Sequence, residues 1–229
     1  MILRKLKYLY QTINQEDFTM SAIAAFYEKQ AETLIKALKK RGMEATYCAD
    51  AKSACEAALS LIAEGSTVTW GGSESIKECG LIEALKNTPV TLWDRADVKP
   101  EDMKAFYRKA FSADYYLMSA NAITLDGQLV NIDGTGNRVA ALSYGPDHVI
   151  VIAGMNKVEP SLEAAINRAH YTAAPPNAMR LHLETPCAKD GICHNCLSPH
   201  KICNMLHVTH YNRFSGRVHV ILVGEALGF

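Results

Sequence analysis

The chain has no surplus of charge of either sign. Lys and Arg number 24 and Asp and Glu number 24 among 229 residues, so the formal net charge is zero. A generic nucleic-acid binder shows a basic excess or patch, so no nucleic-acid partner is expected. A buried, shape-defined small-molecule site needs no such excess. No stretch approaches the ~20 consecutive apolar residues of a membrane-spanning helix, so no membrane partner is expected either. The opening MILRKLKYLYQ interleaves basic with apolar side chains and lacks an uninterrupted apolar core. It reads as an amphipathic helix rather than a secretory signal. Internal repeats, low-complexity linkers and flavin, nicotinamide or Walker signatures are all missing.

What is present is a composition of 48% apolar and 21% charged residues, that of a soluble globular protein. The length allows one sizeable α/β domain. Seven cysteines, an odd number without a secretory signal, point to a reducing compartment where thiols stay free or bind metal. A cytoplasmic protein is the expectation.

Phe18 to Lys40 carries apolar residues at near-helical spacing (Ile23, Phe26, Tyr27, Leu34, Leu38), with basic residues at its end and Gly42 as a stop. Strands are expected at Met43–Cys48, Thr67–Trp70, Val90–Trp93, Asp114–Ser119, His148–Ala153 and Val218–Val223. Between them lie helices: an Ala-rich one over Ala51–Ala63 capped by Asp50, one from a Ser75-to-Glu78 capping box toward Lys86, one starting at Pro100, and Ser161–His170. This alternation predicts an α/β fold with a largely parallel sheet. Residues 1–42 are expected to form a helical segment ahead of one domain over 43–229. Pro175-Pro176 is the only marked break, ahead of a cysteine- and histidine-rich segment at 182–207.

Two polar, Gly-containing stretches stand out. Gly71-Gly72-Ser73-Glu74-Ser75 lies directly after a strand and before a helix, where open α/β folds bind ligands. It is equally well a tight turn with Ser caps. The second stretch, Ser119–Arg138, contains Asp126-Gly127 between short apolar groups, the form of a hairpin turn. A turn-rich patch from Asn131 to Arg138 follows it.

TWGGSESIKECGLIEAL, followed by DYYLMSANAITLDGQLVNIDGTGNRVAALSYGPDHVIVIAGMNKV, resembles the lactate utilization (LUD) family. The motifs run in unbroken order over most of residues 20–172. The whole chain resembles the branch with a cysteine-rich C-terminal segment. The resemblance implies a fold like that of the sugar-phosphate isomerase and coenzyme A transferase superfamily, a mostly parallel sheet flanked by helices. It implies a pocket with Gly71, Gly72, Ser73 and Ser75 on one wall. Asn121, Asp126, Gly127, Asn131, Asp133, Gly136, Asn137 and Arg138 would form the other. Arg138 is expected either to pair with an anionic group or to hold the loop by a salt bridge. One departure bears on chemistry: Leu125-Asp126-Gly127 stands where many relatives carry Thr-Gly or Glu-Thr-Gly. The Glu nucleophile of a coenzyme A transferase is missing between Ser112 and Lys157. Asp126 and Glu78 are the candidate acid–base groups.

Cys187, Cys193, Cys196 and Cys203 follow the spacing C-x5-C-x2-C-x6-C. Thiolates so clustered suit zinc or an iron–sulfur cluster, with a Cys193–Cys196 redox pair or small buried thiols as alternatives. Cys48, Cys55 and Cys79 read as small core residues.

The leading expectation is a LUD-family protein that binds an anionic small molecule. The family implies an accessory role in oxidising L-lactate to pyruvate, beside iron–sulfur partner proteins. The alternatives are a stand-alone isomerase or acyl-transferase using Asp126 or Glu78, and a cysteine-ligated metal or iron–sulfur redox protein. A homo-oligomer is compatible with all three.

Overall fold

The computed structural model describes residues 21–229. The amphipathic helix expected at MILRKLKYLYQ, and the first residues of the helix expected from Phe18, lie outside the described residues.

A six-stranded sheet forms the centre: β1 (Glu44–Cys48), β2 (Thr67–Trp70), β3 (Thr91–Trp93), β4 (Tyr115–Met118), β7 (His148–Gly154) and β10 (Val218–Val223), in the order β1-β10-β7-β4-β2-β3. All of its pairings are parallel, and helices flank it. The expected α/β class is the observed one. Successive residues of a strand face opposite sides, and both sides here are covered. Val149, Val151 and Ala153 of β7 pack with Val218, Val220 and Leu222 of β10 in one core. Ile150 and Ile152 pack with Ile221 and Val223 in the other. Burying each such branched side chain contributes about 1.5–3 kcal/mol.

The helix Ala22–Lys40 packs into the first core through Ala31, Leu34 and Leu38, a stripe at helical spacing. Ser21 caps its start, accepting from Ala24 N–H at 3.2 Å. Ile23 and Phe26, expected on the apolar face, are exposed, while Tyr27 beside them packs against the first core. On the other side the helix Ala51–Leu61 buries Ala54 and Ala58. Its Asp50–Ser53 capping box matches the expected cap.

A second sheet of four strands has the order β8-β5-β6-β9, formed by β5 (Ala122–Thr124), β6 (Leu129–Asp133), β8 (Val158–Glu159) and β9 (Met205–Thr209). The β5–β6 hairpin turns at Asp126-Gly127. Gly127 has φ of +88°, and a Cβ there would lie 2.8 Å from the backbone of Ala37 and Leu38. Glycine is therefore required twice over, for the turn and for the approach of the helix. Asp126 is half-exposed and ion-paired to Arg41 at 2.5 Å. Its carboxyl is held below the usual carboxylate range by Thr124 first, then by Gln128 and Arg41.

Several local expectations are corrected. The helix expected from Ser75 toward Lys86 is two short helices, Glu74–Glu78 and Leu81–Leu85, because Gly80 adopts φ of +75° between them. Ser73 rather than Ser75 caps the first. Asn131 to Arg138 is not one turn-rich patch. Asn131 and Asp133 lie on β6, and Asn137 and Arg138 open the helix Asn137–Ser143. The partner that makes β6 a central strand, β9, comes from the distant chain after the cysteines. Pro175 and Pro176 are not a break either. They stand in the first turn of the helix Ala174–Arg180, where the missing N–H costs nothing, directly after a π-helical stretch at Arg168–Ala173.

Candidate functional site

Four parallel strands deliver their carboxyl ends to one edge, where a cavity of about 220 Å3 opens. Gly72 to Ser75 follow β2, Arg95 follows β3, Ser119 follows β4, and Lys157 follows β7. Ligands gather at such strand ends because the loops there are free to carry polar groups against a rigid sheet.

Lys157 forms the floor. It is 3% exposed, and its Nζ donates to Ser75 Oγ at 2.8 Å and to Ser119 Oγ at 3.1 Å. No ion pair to Lys157 occurs among the described residues. Ser75 is itself buried, and its hydroxyl donates to the Leu227 carbonyl at 3.2 Å. Burial brings the Lys157 amine down to about 7, helped by the nearby Arg168 and Arg138 cations and opposed by Glu78. A buried ammonium without a directly paired carboxylate has lost its hydration, and the Glu78 charge only partly offsets that loss.

Arg138 does not reach outward for an anion through its terminal nitrogens. One donates to Ser119 O at 3.1 Å and to Asn131 Oδ1 at 2.6 Å. The other donates to Asn121 Oδ1 at 3.0 Å and to Ile132 O at 2.6 Å. The guanidinium thus clamps the end of β4 to β5 and β6. Asp133 accepts from the backbone N–H of Arg138 and Val139, both at 3.1 Å, and fixes the start of the helix Asn137–Ser143. Arg168 braces the same region from behind, donating to Asn156 O at 3.1 Å and Asn121 O at 2.5 Å.

Arg95 is differently placed. Its guanidinium lies against the Gly72 backbone, where a Cβ would meet Nη2 at 2.7 Å. It lines the cavity and takes part in no ion pair among the described residues. Arg180, also in the lining, is paired with Glu74 at 3.2 Å and held by Asn177 at 2.7 Å.

Of the residues expected in the pocket, Gly72, Ser73, Ser75, Asn121, Asp133, Asn137 and Arg138 line this cavity. Gly71 stands just behind it, packed against Tyr116 and Arg138. Asn131 is fully buried beneath Arg138, and Gly136 turns the chain into the helix at φ of +85°. Asp126 and Gly127 are brought elsewhere, to the hairpin tip beside Arg41 and the first helix. Glu78 is outside the lining, where its carboxylate accepts from Gly228 N–H at 2.6 Å. Neither candidate acid–base group therefore faces the cavity.

The four C-terminal cysteines are free and half-buried. Burial pushes the Cys203 thiol up, and the charges of Cys193, Cys196 and Cys187 add to that effect. Among the described residues no group of three or more His, Cys, Asp or Glu side chains is arranged to hold a metal ion. His194 is tied to Asp190 at 2.7 Å and His207 to Ser143 at 2.8 Å. The segment abuts the cavity, since Ile202 is part of its lining.

A family model described as the LUD domain matches residues 31–223. The chain belongs to the LUD domain family. No curated protein matches this LUD domain in sequence. Among solved structures, it is similar to a DUF162 family protein from Deinococcus radiodurans, at 12% identity and a TM-score of 0.49, over 86% of this chain and 98% of that one. It is similar at a TM-score of 0.35 to eIF2B beta from Chaetomium thermophilum, at 16% identity over 48% of this chain and 43% of that one. For eIF2B delta from the same organism the TM-score is also 0.35, at 17% identity over 72% and 68%.

The motifs of this LUD domain did not disclose Lys157, Arg95 or Arg180. A signal existed for the first two. Each follows closely on the carboxyl end of an expected strand, so the rule that drew attention to Gly71–Ser75 applied equally to them.

The low-lying Lys157 amine has a consequence for stability. Below about 7 both folded and unfolded chains hold the proton, and the folded state bears the whole cost of burying it. Between there and the ordinary value of 10.5 the unfolded chain binds more protons, so this residue's contribution becomes more favourable as pH rises. Urea unfolding at a series of pH values, for wild type and Lys157→Met, is expected to show the difference moving in favour of wild type from pH 7 to 10. A pH-independent difference contradicts this placement of the amine.

Proposed function

We propose that the cavity binds a small anion, a carboxylate or phosphate in class. In this reading the chain is an accessory component of lactate utilization, acting beside iron–sulfur partner proteins in the conversion of L-lactate to pyruvate. The observation that carries the anion is Arg95, a guanidinium at the cavity wall outside any ion pair among the described residues. Its planar fork suits bidentate pairing with carboxylate or phosphate. Around it the lining holds Lys157, Arg138 and Arg180 against Glu74 and Asp133, a cationic balance. The volume of about 220 Å3 falls below the ~300–1,000 Å3 of pockets for drug-sized ligands, which suits a metabolite of a few carbons. The lactate context comes from the family. A stand-alone isomerase or acyl-transferase is the weaker reading, because Asp126 and Glu78 are engaged away from the cavity.

Calorimetric titration with L-lactate, pyruvate and inorganic phosphate tests the binding. Arg95→Ala is expected to weaken the bound anion by about tenfold or more, roughly 1.4 kcal/mol. Gly72→Ala should do the same by displacing the guanidinium, with little change in melting temperature. Absence of binding by all three anions contradicts the proposal.

A second reading, a thiolate-bound metal or cluster at Cys187, Cys193, Cys196 and Cys203, is favoured by one observation. Cys203 lies within electrostatic reach of Cys187, Cys193 and Cys196, so thiolates formed there would repel and a bound cation would relieve that repulsion. Elemental analysis and an absorption spectrum of tag-free protein purified without oxygen decide it. Zinc or iron near one site per chain, lost on replacing Cys193 and Cys196 by Ser, is the expected result. Metal-free, colourless protein overturns it.

A further inference from the structure

Lys157 is placed unlike a structural lysine. A lysine that serves the fold keeps its head in water or pairs with a carboxylate. This one is buried at the cavity floor and donates only to two hydroxyls. The charged groups that face it are Arg168 and Arg138, which disfavour an ammonium, and Glu78, which favours one from outside the lining. Desolvation and adjacent cations are the conditions that turn a lysine amine into a nucleophile.

The serines do not take that role. Ser75 donates its hydroxyl proton to Leu227 O, and Ser119 donates to Ala120 O at 3.3 Å. Both oxygens accept from Nζ, so the pair orients the amine and neither hydroxyl offers it a proton. With two of its tetrahedral directions taken by N–H donation, a neutral Nζ has its lone pair left over.

We propose that Lys157 is the cavity's nucleophile and adds to the carbonyl carbon of a small oxo acid, a compound whose aldehyde or ketone neighbours a carboxylate. The inference rests on the anion-binding reading, in which Arg95 takes the carboxylate. The Nζ lone pair forms the new C–N bond while the carbonyl π pair moves to oxygen, which takes one Nζ proton. The carbinolamine then loses its C–O bond. The hydroxyl leaves as water with the second Nζ proton, and a C=N bond remains. Amine and carbonyl thus give imine and water, with no oxidant or reductant.

Reductive trapping of the full-length protein with glyoxylate and cyanoborohydride, followed by peptide mapping, tests this step. At pH 7 the adduct is expected on Lys157 about tenfold or more faster than on the exposed Lys29 or Lys86, whose ammonium groups are ion-paired with Glu32 and Glu83. The Lys157 rate should rise with pH through about 7 and then level off. Arg95→Ala should slow labelling of Lys157 and leave Lys29 and Lys86 unchanged. Calorimetry with glyoxylate alone separates the two ideas. Binding without an adduct at Lys157 overturns the nucleophile and leaves the anion site standing. Neither binding nor an adduct overturns both.

Discussion

One buried amine in no direct ion pair among the described residues organises this molecule's functional edge. Lys157 Nζ is held by two serine hydroxyls at the base of a cavity, where the Arg168 and Arg138 cations outweigh the Glu78 carboxylate acting on it. Such a group is costly to bury, and surface residues do not compensate for it. The surroundings make sense as parts that hold it there. Arg138 and Arg168 bond to carbonyl and amide oxygens of β4, β5 and β6 and of the turn before Lys157, fixing the chain on both sides of Ser119. The segment at Leu227 closes over Ser75.

The parallel sheet explains why these residues converge. Parallel strands point all their carboxyl ends one way, so loops far apart in sequence share an edge. The second sheet adds a wall, because the β5–β6 hairpin returns the chain across the first core and brings β6, with the helix that follows it, to the cavity. In a LUD domain built this way the glycines of the first loop admit a guanidinium rather than a phosphate-cradling turn. Gly72 is where Arg95 lies.

Much of the fold was legible in the amino-acid pattern. Thr67–Trp70 and Val218–Val223 are strands with the bounds expected from their apolar runs, and Asp126-Gly127 makes the expected hairpin. Those features are local, set by side-chain period and turn chemistry. What was not legible depends on distant partners. Asn131 looks like a turn residue until β9 supplies its neighbour His207 and Arg138 supplies its hydrogen bond. Arg138 looks like an anion anchor until four internal oxygens claim its terminal nitrogens. Lys157 sits in an ordinary-looking MNKVEP stretch, and only burial beside Ser75 and Ser119, drawn from two other strand ends, makes it unusual.

Direct titration of the lysine side chains, by NMR of protein carrying 13C at lysine Cε, tests the central claim most directly. One resonance, absent in Lys157→Met, is predicted to titrate near 7. If no resonance lost in Lys157→Met titrates near 7, the amine is a paired or solvated ammonium, and the account of the cavity floor is wrong.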